Sequence, residues 1–348
     1  MNSRERIIAA LTFSRPDRVP VMHRTLPGGF RVHGEKLQAL YRTYPSDIML
    51  SPSSNSPFAF SDVDSEHGGA GTMTDVWGCT WLKTSDDWQG RVVEFPLADW
   101  SALRSYRWPD AMTGYAGVEE MMSVMKEDRH QHYYLGACGT LMHQMTFLRG
   151  FEETLIDLYE GNQEILVVRD RITEIILRRI EVLTKAGADG ILLNDDWGTQ
   201  TSLFIKPALW RELFKPAYKK MVDAAHSGGA YAHMHFDGVT DAIVPDLIEI
   251  GLEELNPQVW CMNVDDLSRR YRGKACFRAD LDRQHILCRG TPAEVVEHVW
   301  QTYQAFGLPT GGYIGYGQVG PDTPIENVEA MLRTFAALRP GVRGVPSS

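Results

Sequence analysis

The segment from His233 to Asp237 carries the residue types best suited to metal binding or proton transfer. His233, His235 and Asp237 alternate with apolar residues at the end of an apolar run. Because successive side chains of a strand point to opposite faces, the two imidazoles and the carboxylate are predicted to share one face. Residues two apart lie ~6.6 Å apart along a strand, so neighbouring members can share one divalent ion. We therefore predict His235 and Asp237 as metal ligands and His233, deeper in the fold, as a catalytic candidate.

A structural role is the alternative for two of these residues. His233 would then fill an interior layer with a satisfied hydrogen bond, and Asp237 would cap a helix that begins near Val239. His235 and Asp237 are the pair on which the functional prediction depends.

Asp195 and Asp196 follow another apolar run, within the sequence Asn-Asp-Asp-Trp-Gly at 194–198. If the strand continues, the two carboxylates point to opposite faces, so only one reaches a pocket easily. Either is predicted to act as a metal ligand, as a general base or as a helix N-cap. Both are retained as catalytic candidates.

Other polar residues at the ends of apolar runs are predicted to contact a small-molecule substrate. The substrate-binding candidates are Trp197, Asn256, Gln258, Tyr316 and Gln318. Arg24 is a further catalytic candidate, as a clamp for an anionic substrate. Trp77, Trp81, Trp88 and Trp197 could form an aromatic wall for a planar substrate, with packing in the core as the alternative.

The elements that must position these residues are predicted to be parallel strands. Eight short apolar runs lie between helical stretches, at residues 19–22, 47–50, 133–137, 190–193, 230–235, 252–255, 275–278 and 312–316. Continuous short apolar runs separated by helices are typical of a (β/α)₈ TIM barrel, whose catalytic groups come from the carboxyl ends of the strands. We predict one such domain over residues 1–348.

Helix boundaries are marked by capping signals. Asn2 with Glu5, Thr291 with Glu294, and Thr323 with Glu326 are predicted capping boxes, the last two with proline at the first helical position. Apolar spacing predicts helices over 163–186, and over 207–226 with a bend at Pro216. Residues 53–108 break the repeat, and we predict an insertion over the barrel mouth with a β-hairpin formed by 79–83 and 91–95.

Composition limits the classes of partner. Lys and Arg number 35 against 45 Asp and Glu, a net charge of −10 without a basic cluster, which argues against nucleic acid and anionic membranes. No apolar run reaches the ~20 residues of a membrane span and the N-terminus does not resemble a signal peptide, so we predict a cytoplasmic protein. The five widely spaced cysteines favour reduced thiols.

Several motifs together resemble the uroporphyrinogen decarboxylase superfamily over nearly the whole chain. They are residues 4–6 with 16–21, Asp-Val-Trp-Gly at 75–78, residues 194–198 with 207 and 210–211, and residues 245–251 through 255–257. The resemblance implies a (β/α)₈ barrel and a homodimer. It does not fix the reaction, because one fold hosts many chemistries.

The chain departs from the pattern of true uroporphyrinogen decarboxylases. Their Arg-x-x-x-Arg pair is represented by Arg24 and Gly28, so the second arginine is missing, and Arg31 could replace it only with a different geometry. The segment around Asp62 matches their aspartate motif with a doubtful spacing. We therefore predict that the substrate is not a haem precursor.

Related corrinoid methyltransferases hold zinc with a His-x-Cys pair after the fifth strand and a later cysteine. Here His235 matches the histidine, Asp237 replaces the cysteine, and no cysteine follows Cys288. A nitrogen-and-oxygen site is a harder Lewis acid site, suited to an ether or alcohol oxygen. We predict an enzyme that moves a methyl group from a small, methoxylated substrate to a corrinoid on a partner protein, with a divalent metal, zinc first. The alternatives are a lyase or decarboxylase for a small carboxylated substrate and a non-catalytic binding protein.

Overall fold

The computed structural model describes residues 1–50, 71–83, 90–111, 123, 125–128 and 131–342. The helices of these residues are α1 (Ser3–Leu11), α2 (Pro27–Thr43), α3 (Met142–Arg149), α4 (Phe151–Glu160), α5 (Gln163–Ala186), α6 (Pro207–Leu213), α7 (Lys215–Ser227), α8 (Val244–Glu249), α9 (Val264–Tyr271), α10 (Ile286–Arg289), α11 (Pro292–Phe306) and α12 (Ile325–Ala337). Short 3₁₀ helices cover Trp100–Ser105 and Val259–Cys261.

Eleven strands lie in the described part of the chain. They are β1 (Val21–Thr25), β2 (Ile48–Leu50), β3 (Gly71–Thr74), β4 (Thr80–Lys83), β5 (Arg91–Glu94), β6 (Tyr133–Gly139), β7 (Gly190–Asn194), β8 (Tyr231–Phe236), β9 (Glu254–Pro257), β10 (Cys276–Phe277) and β11 (Gly315–Val319). Each of the eight predicted apolar runs contains or overlaps a strand, displaced by up to three residues. The predicted hairpin is confirmed as the antiparallel pair β4 and β5, with β3 on the other side of β4; its turn at 84–89 lies outside the described residues.

The chain divides into two compact units. The first unit comprises Met1–Met49, Asp128–Tyr134 and Gly238–Ser348, and the second comprises Leu50–Glu127 and Leu135–Asp237. In the first unit β1 pairs in parallel with β11, and β9 with β10. In the second unit β7 lies between β6 and β8, again in parallel. The single domain over 1–348, and the position of the insertion over a barrel mouth, stay predictions.

The parallel strands are buried because both of their faces are apolar. All five residues of β7 and all six of β8 are buried or half-buried, and Ile191, Leu193, Met234 and Phe236 are almost fully enclosed. Side chains of α5 complete the core of the second unit, with Ile165, Val168, Ile172, Ile176, Ile180 and Leu183 buried. A strand buried on both sides reads as a continuous apolar run, which is why the sequence reveals it.

Four of the twelve described helices, α1, α5, α9 and α11, begin at a residue whose side chain accepts a hydrogen bond from a backbone amide of the first turn. The capping boxes of Asn2 with Glu5 and of Thr291 with Glu294 are confirmed, and α5 spans the predicted residues between Asn162 and Gly187. Gly187 has φ 107°, a left-handed conformation that ends the helix without the steric cost of a side chain.

Two helix predictions are wrong in detail. Pro324 is the N-cap of α12 and not its first residue, because the Thr323 hydroxyl accepts a hydrogen bond from the Gly320 amide (3.1 Å) and so closes the preceding turn. The predicted helix over 207–226 is two helices, separated at Phe214, because a proline near the start of α7 cannot continue the hydrogen-bond ladder of α6.

The cysteines are all free. Among the described helices, none combines the length and the apolar composition that a membrane span needs.

Candidate metal site

Asp196, His235 and Asp237 lie together at the carboxyl ends of β7 and β8. Their ligand atoms, one from each side chain, all lie within 4.8 Å of one another, and each residue is partly exposed. His235 Nε2 is 3.8 Å from Asp237 Oδ1. The second unit therefore brings both predicted metal ligands together with one of the two predicted aspartates.

The register of the parallel strands brings these residues together. Asn194 pairs with His235, and the ladder continues past β7 because Asp195 N donates to His235 O (3.1 Å). Trp197 N then donates to Asp237 O (3.3 Å), so the two backbone segments stay paired in parallel for three residues beyond Asn194. No helix begins near Val239, where Asp237 was a candidate cap; the next helix of the chain is α8.

Asp195 and Asp196 point in different directions. Asp196 keeps about a third of its side chain exposed; its Oδ1 accepts a hydrogen bond from Asp237 N (3.1 Å), and its Oδ2 lies 3.4 Å from His143 Nε2. Asp195 is fully buried and accepts hydrogen bonds from Leu141 N (2.7 Å) and His143 N (2.9 Å). Asp196 is thus the carboxylate that solvent and a ligand can reach.

A buried tyrosine completes the surroundings of Asp195. Tyr218 donates its hydroxyl hydrogen to Asp195 Oδ2 (2.6 Å) and accepts one from Trp197 Nε1 (3.2 Å). Burial raises the pKa of Asp195, while the nearby His143 and the hydrogen bonds from Tyr218 and the backbone oppose that shift. Burial, and then the Asp195 charge, raises the pKa of Tyr218 well above its ordinary value. The hydrogen bond between Tyr218 and Asp195 fixes the residue that directly follows β7.

We call Asp195, Asp196, His143, His235 and Asp237 the carboxylate–imidazole site. The ligand atoms of Asp196, His235 and Asp237 fit a divalent ion, because zinc accepts imidazole nitrogen and carboxylate oxygen as ligands at about 2.0–2.2 Å. Partial exposure leaves room for a water or a substrate atom beside the three ligand groups, as in catalytic zinc sites.

Two predicted site residues of the second unit lie in its core. His233 is completely buried within β8, paired in register with Leu192. Trp197 is also completely buried, with its ring against Trp210, Phe214 and Tyr218 at centroid distances of 4.6 to 6.2 Å. Trp77 and Trp81 are buried as well, and Trp88 lies outside the described residues.

The remaining predicted site residues belong to the first unit. Asn256 Nδ2 donates to Arg278 O and to Asp280 Oδ1 (3.3 Å), and Gln258 Oε1 accepts from Gly238 N (3.2 Å). Arg24 is exposed at the end of β1, opposite Gln318 of β11. The residues around Asp62, a weaker part of the family resemblance, lie outside the described residues.

Two arginines, the buried Arg278 and the half-buried Arg283, lie beside residues of β11. The Arg278 guanidinium contacts Glu254 (3.0 Å) and lies over the Tyr316 ring at 4.9 Å, while Arg283 Nη1 donates to Gln318 Oε1 (2.5 Å) and lies 3.8 Å from Asp280. Burial raises the pKa of Tyr316 to about 12, although neighbouring arginines oppose the shift. We call Glu254, Arg278, Asp280 and Arg283 the arginine cluster.

His143 and Gln144 are residues that the sequence reasoning missed. Both follow β6, at the start of α3, so the rule that located the other strand-end residues would have found them had it been applied to this strand. His143 stacks on Phe147 (5.7 Å between centroids, 4° between planes). Gln144 is 1% exposed, and neither its Oε1 nor its Nε2 has a hydrogen-bond partner among the described residues.

Comparison with protein-family models assigns the chain to a family. The family model described as uroporphyrinogen decarboxylase (URO-D) matches residues 87–338. The chain belongs to the uroporphyrinogen decarboxylase family. Curated relatives agree: a uroporphyrinogen decarboxylase of Hydrogenobaculum sp. (strain Y04AAS1) is 20% identical over 66% of this chain, and one of Magnetococcus marinus (strain ATCC BAA-1437 / JCM 17883 / MC-1) is 24% identical over 51%. The matches span 65% and 49% of those relatives' own lengths.

Solved structures are similar to nearly the whole chain. A methyltransferase from Methanosarcina mazei superposes with a TM-score of 0.69 at 15% identity, covering 97% of this chain and 98% of that one. A B12-independent methionine synthase from Shewanella sp. W3-18-1 gives a TM-score of 0.50 at 10% identity, covering 93% of each chain. The fold is therefore the α/β fold of the TIM-barrel class, as the sequence predicts.

Proposed function

We propose that this uroporphyrinogen decarboxylase family member is a methyltransferase that demethylates a small, methoxylated substrate, with a divalent ion held by Asp196, His235 and Asp237. The observation that carries the proposal is the approach of these three ligand atoms to within 4.8 Å of one another. Zinc is the ion we expect first. The similarity to a Methanosarcina mazei methyltransferase supports the reaction class through the shared fold.

The proposed reaction transfers a methyl cation from an ether oxygen to cobalt. The bond between methyl carbon and oxygen breaks, the oxygen keeps the bonding electron pair and gains a proton, and the methyl group passes to a Co(I) corrinoid carried by a partner protein. A divalent ion, when bound, supplies Lewis acidity toward the ether oxygen. A site without thiolates suits such a hard oxygen.

The residues of the site have distinct proposed roles. Asp237 N holds one oxygen of Asp196, and the other oxygen of that carboxylate lies 3.4 Å from His143 Nε2. Tyr218 and two backbone amides hold Asp195, so the end of β7 stays fixed while the exposed groups act. The partner protein, a homodimer and a cytoplasmic location stay predictions.

Elemental analysis of the purified protein tests the metal. We expect about one zinc or other divalent ion per chain in the wild type, and strong loss in His235→Ala and Asp237→Ala. His285→Ala is the matched control, because His285 pairs with Asp282 at 3.1 Å outside the three-residue group. A wild type without stoichiometric metal, prepared without chelators, contradicts the proposal.

The transfer itself is tested with free Co(I) corrinoid and a panel of methoxylated donors. Formation of methyl-Co(III), followed by its absorption spectrum, is expected for the wild type and the His285→Ala control, and is expected to be lost in Asp237→Ala. A metal-loaded wild type that methylates no corrinoid from any donor overturns the reaction while leaving the metal site standing.

A lyase or decarboxylase acting on a small carboxylated substrate is the second candidate. The family match and the exposed Arg24 guanidinium, which lies near enough to Tyr316 to influence the pKa of that phenol, favour it. Carbon dioxide release that is unaffected by chelators but lost in Arg24→Ala supports this candidate over methyl transfer.

A further inference from the structure

We propose that Phe147, together with His143, forms an aromatic subsite beside Asp196 that binds a planar, aromatic part of the methyl donor. The inference rests on the proposed function, because it names the class of the methoxylated substrate, a methyl ether of an aromatic ring. Both residues belong to α3, and they lie in the same compact unit as Asp196, His235 and Asp237.

The two rings of the aromatic subsite lie side by side next to the carboxylate–imidazole site. Residues four apart on a helix lie on one face, and the rings of His143 and Phe147 are parallel within 4° at a centroid distance of 5.7 Å. Phe147 is half-buried, and His143 keeps 29% of its side chain exposed. Because His143 Nε2 lies 3.4 Å from Asp196 Oδ2, the aromatic subsite begins directly beside a proposed metal ligand.

Phe147 is held in place by β4 and the residue before it. The Trp81 ring packs at 65° to the Phe147 ring with 4.9 Å between centroids, and Cys79 Sγ donates to Phe147 O (3.1 Å). Trp81 is buried and donates from Nε1 to Asp75 Oδ2 (2.7 Å). A ring that is fixed before binding loses little conformational entropy when a ligand packs on it, so the subsite is preorganised for a planar group.

An aromatic methyl donor also suits the proposed chemistry. When the bond between methyl carbon and oxygen breaks, the oxygen keeps the electron pair. Tyrosine, a phenol, loses its proton with a pKa of about 10, and water with one of about 15.7. An aliphatic alcohol resembles water in this respect, so the oxygen of an aryl ether accommodates the electron pair better than that of an alkyl ether.

Two matched probes measure the contribution of the aromatic ring. Methoxybenzene is an aryl methyl ether, and methoxycyclohexane carries the same methoxy group on a saturated ring. Ligand-observed proton NMR titrations of the zinc-supplemented protein, without corrinoid, give a Kd for each probe that does not depend on turnover. We expect the wild type to bind methoxybenzene about 2- to 10-fold more tightly, which is the value of a ring–ring contact beyond the area it buries.

Variants of Phe147 assign this preference to the aromatic subsite. Phe147→Leu replaces the ring with a branched aliphatic side chain and is expected to lose the preference, whereas Phe147→Tyr restores the ring and is expected to keep it. Phe151→Leu is the matched control, because Phe151 is an exposed aromatic residue of α4 that contacts Phe204 at 5.0 Å. The preference is a ratio of two affinities of one protein, so a change in the folded fraction does not alter it.

The outcomes separate the aromatic subsite from the proposed reaction. Equal affinities for the two probes in the wild type, binding of neither probe, or a preference that survives Phe147→Leu overturns the subsite and leaves the metal-dependent methyltransferase standing. A preference that depends on Phe147, in a protein that transfers no methyl group to Co(I) corrinoid, supports the subsite and rejects the proposed reaction.

Discussion

The two compact units pair their carboxylates in opposite ways. In the carboxylate–imidazole site of the second unit, Asp196 faces the imidazole of His143 and Asp237 faces that of His235. In the arginine cluster of the first unit, Glu254 faces Arg278 at 3.0 Å, and both are almost completely buried.

The partner of each carboxylate determines whether that carboxylate can also bind a ligand. A guanidinium stays charged at all ordinary pH values and has no lone pair to offer, so a buried arginine neutralises its carboxylate permanently. A neutral imidazole offers a lone pair and can join a carboxylate on one metal ion. We therefore predict that the arginine cluster stabilises the fold. The carboxylate–imidazole site is predicted to bind and release a ligand.

Removal of Arg278 is the largest test of this contrast. Arg278→Met leaves Glu254 buried without its cation, and we expect the free energy of unfolding to fall by about 3–5 kcal/mol in denaturant titrations. Arg171→Met is the control, because the Arg171–Glu174 pair lies on the surface, and its loss should cost about 1 kcal/mol or less.

The double variant Arg278→Met/Glu254→Leu sharpens the result. We expect it to recover much of the lost stability, because neither charge is then buried unpaired. A double variant as unstable as Arg278→Met would mean that packing against Tyr316, and not charge, explains the loss.

Acidification should weaken the first unit through His298. Burial lowers the pKa of His298 from 6.5 to about 4, although Asp282 opposes the shift, and its Nε2 accepts a hydrogen bond from Asp282 N (2.9 Å). The folded state therefore binds this proton less readily than the unfolded state, so stability is complete above pH 6.5 and declines as the pH falls toward 4. At about 1.4 kcal/mol per pKa unit, the loss is about 3 kcal/mol.

His298→Gln checks this pH dependence. Unfolding free energies measured between pH 7 and 4 should decline less steeply in the variant than in the wild type. Equal slopes would place the acid sensitivity elsewhere. Burial raises the pKa of Asp195, so the folded state binds this proton more readily than the unfolded state. The contribution of Asp195 to stability is therefore expected to increase as the pH falls, opposite to that of His298.

Gln144 provides the smallest test, in the second unit. Neither polar atom of its buried amide has a partner among the described residues, so Gln144→Met is expected to raise the free energy of unfolding by about 1 kcal/mol. The catalytic efficiency of methyl transfer is expected to fall if the amide binds substrate. Asn327→Leu is the matched control in the first unit, because Asn327 Nδ2 donates to Leu287 O (3.0 Å) and Gly290 O (2.8 Å), and its loss should destabilise the fold.

The proximity of His235 and Asp237 could be predicted from the sequence because alternation along one strand is a local property. His235 and Asp237 lie two residues apart, so any extended backbone brings their side chains to one face. The capping boxes and the buried apolar runs were predictable for the same reason, since each depends on residues within one helical turn or one short strand.

Partners from distant parts of the chain depended on tertiary structure. Asp196 joins His235 because β7 and β8 pair in a particular register, and His143 joins Asp196 because α3 begins where Asp195 binds its first amides. Sequence spacing does not encode such a register, which is set by how the buried faces of strands and helices pack. The sequence by itself determined the residue types, the element order and the barrel class, whereas packing decided which carboxylates meet imidazoles and which meet arginines.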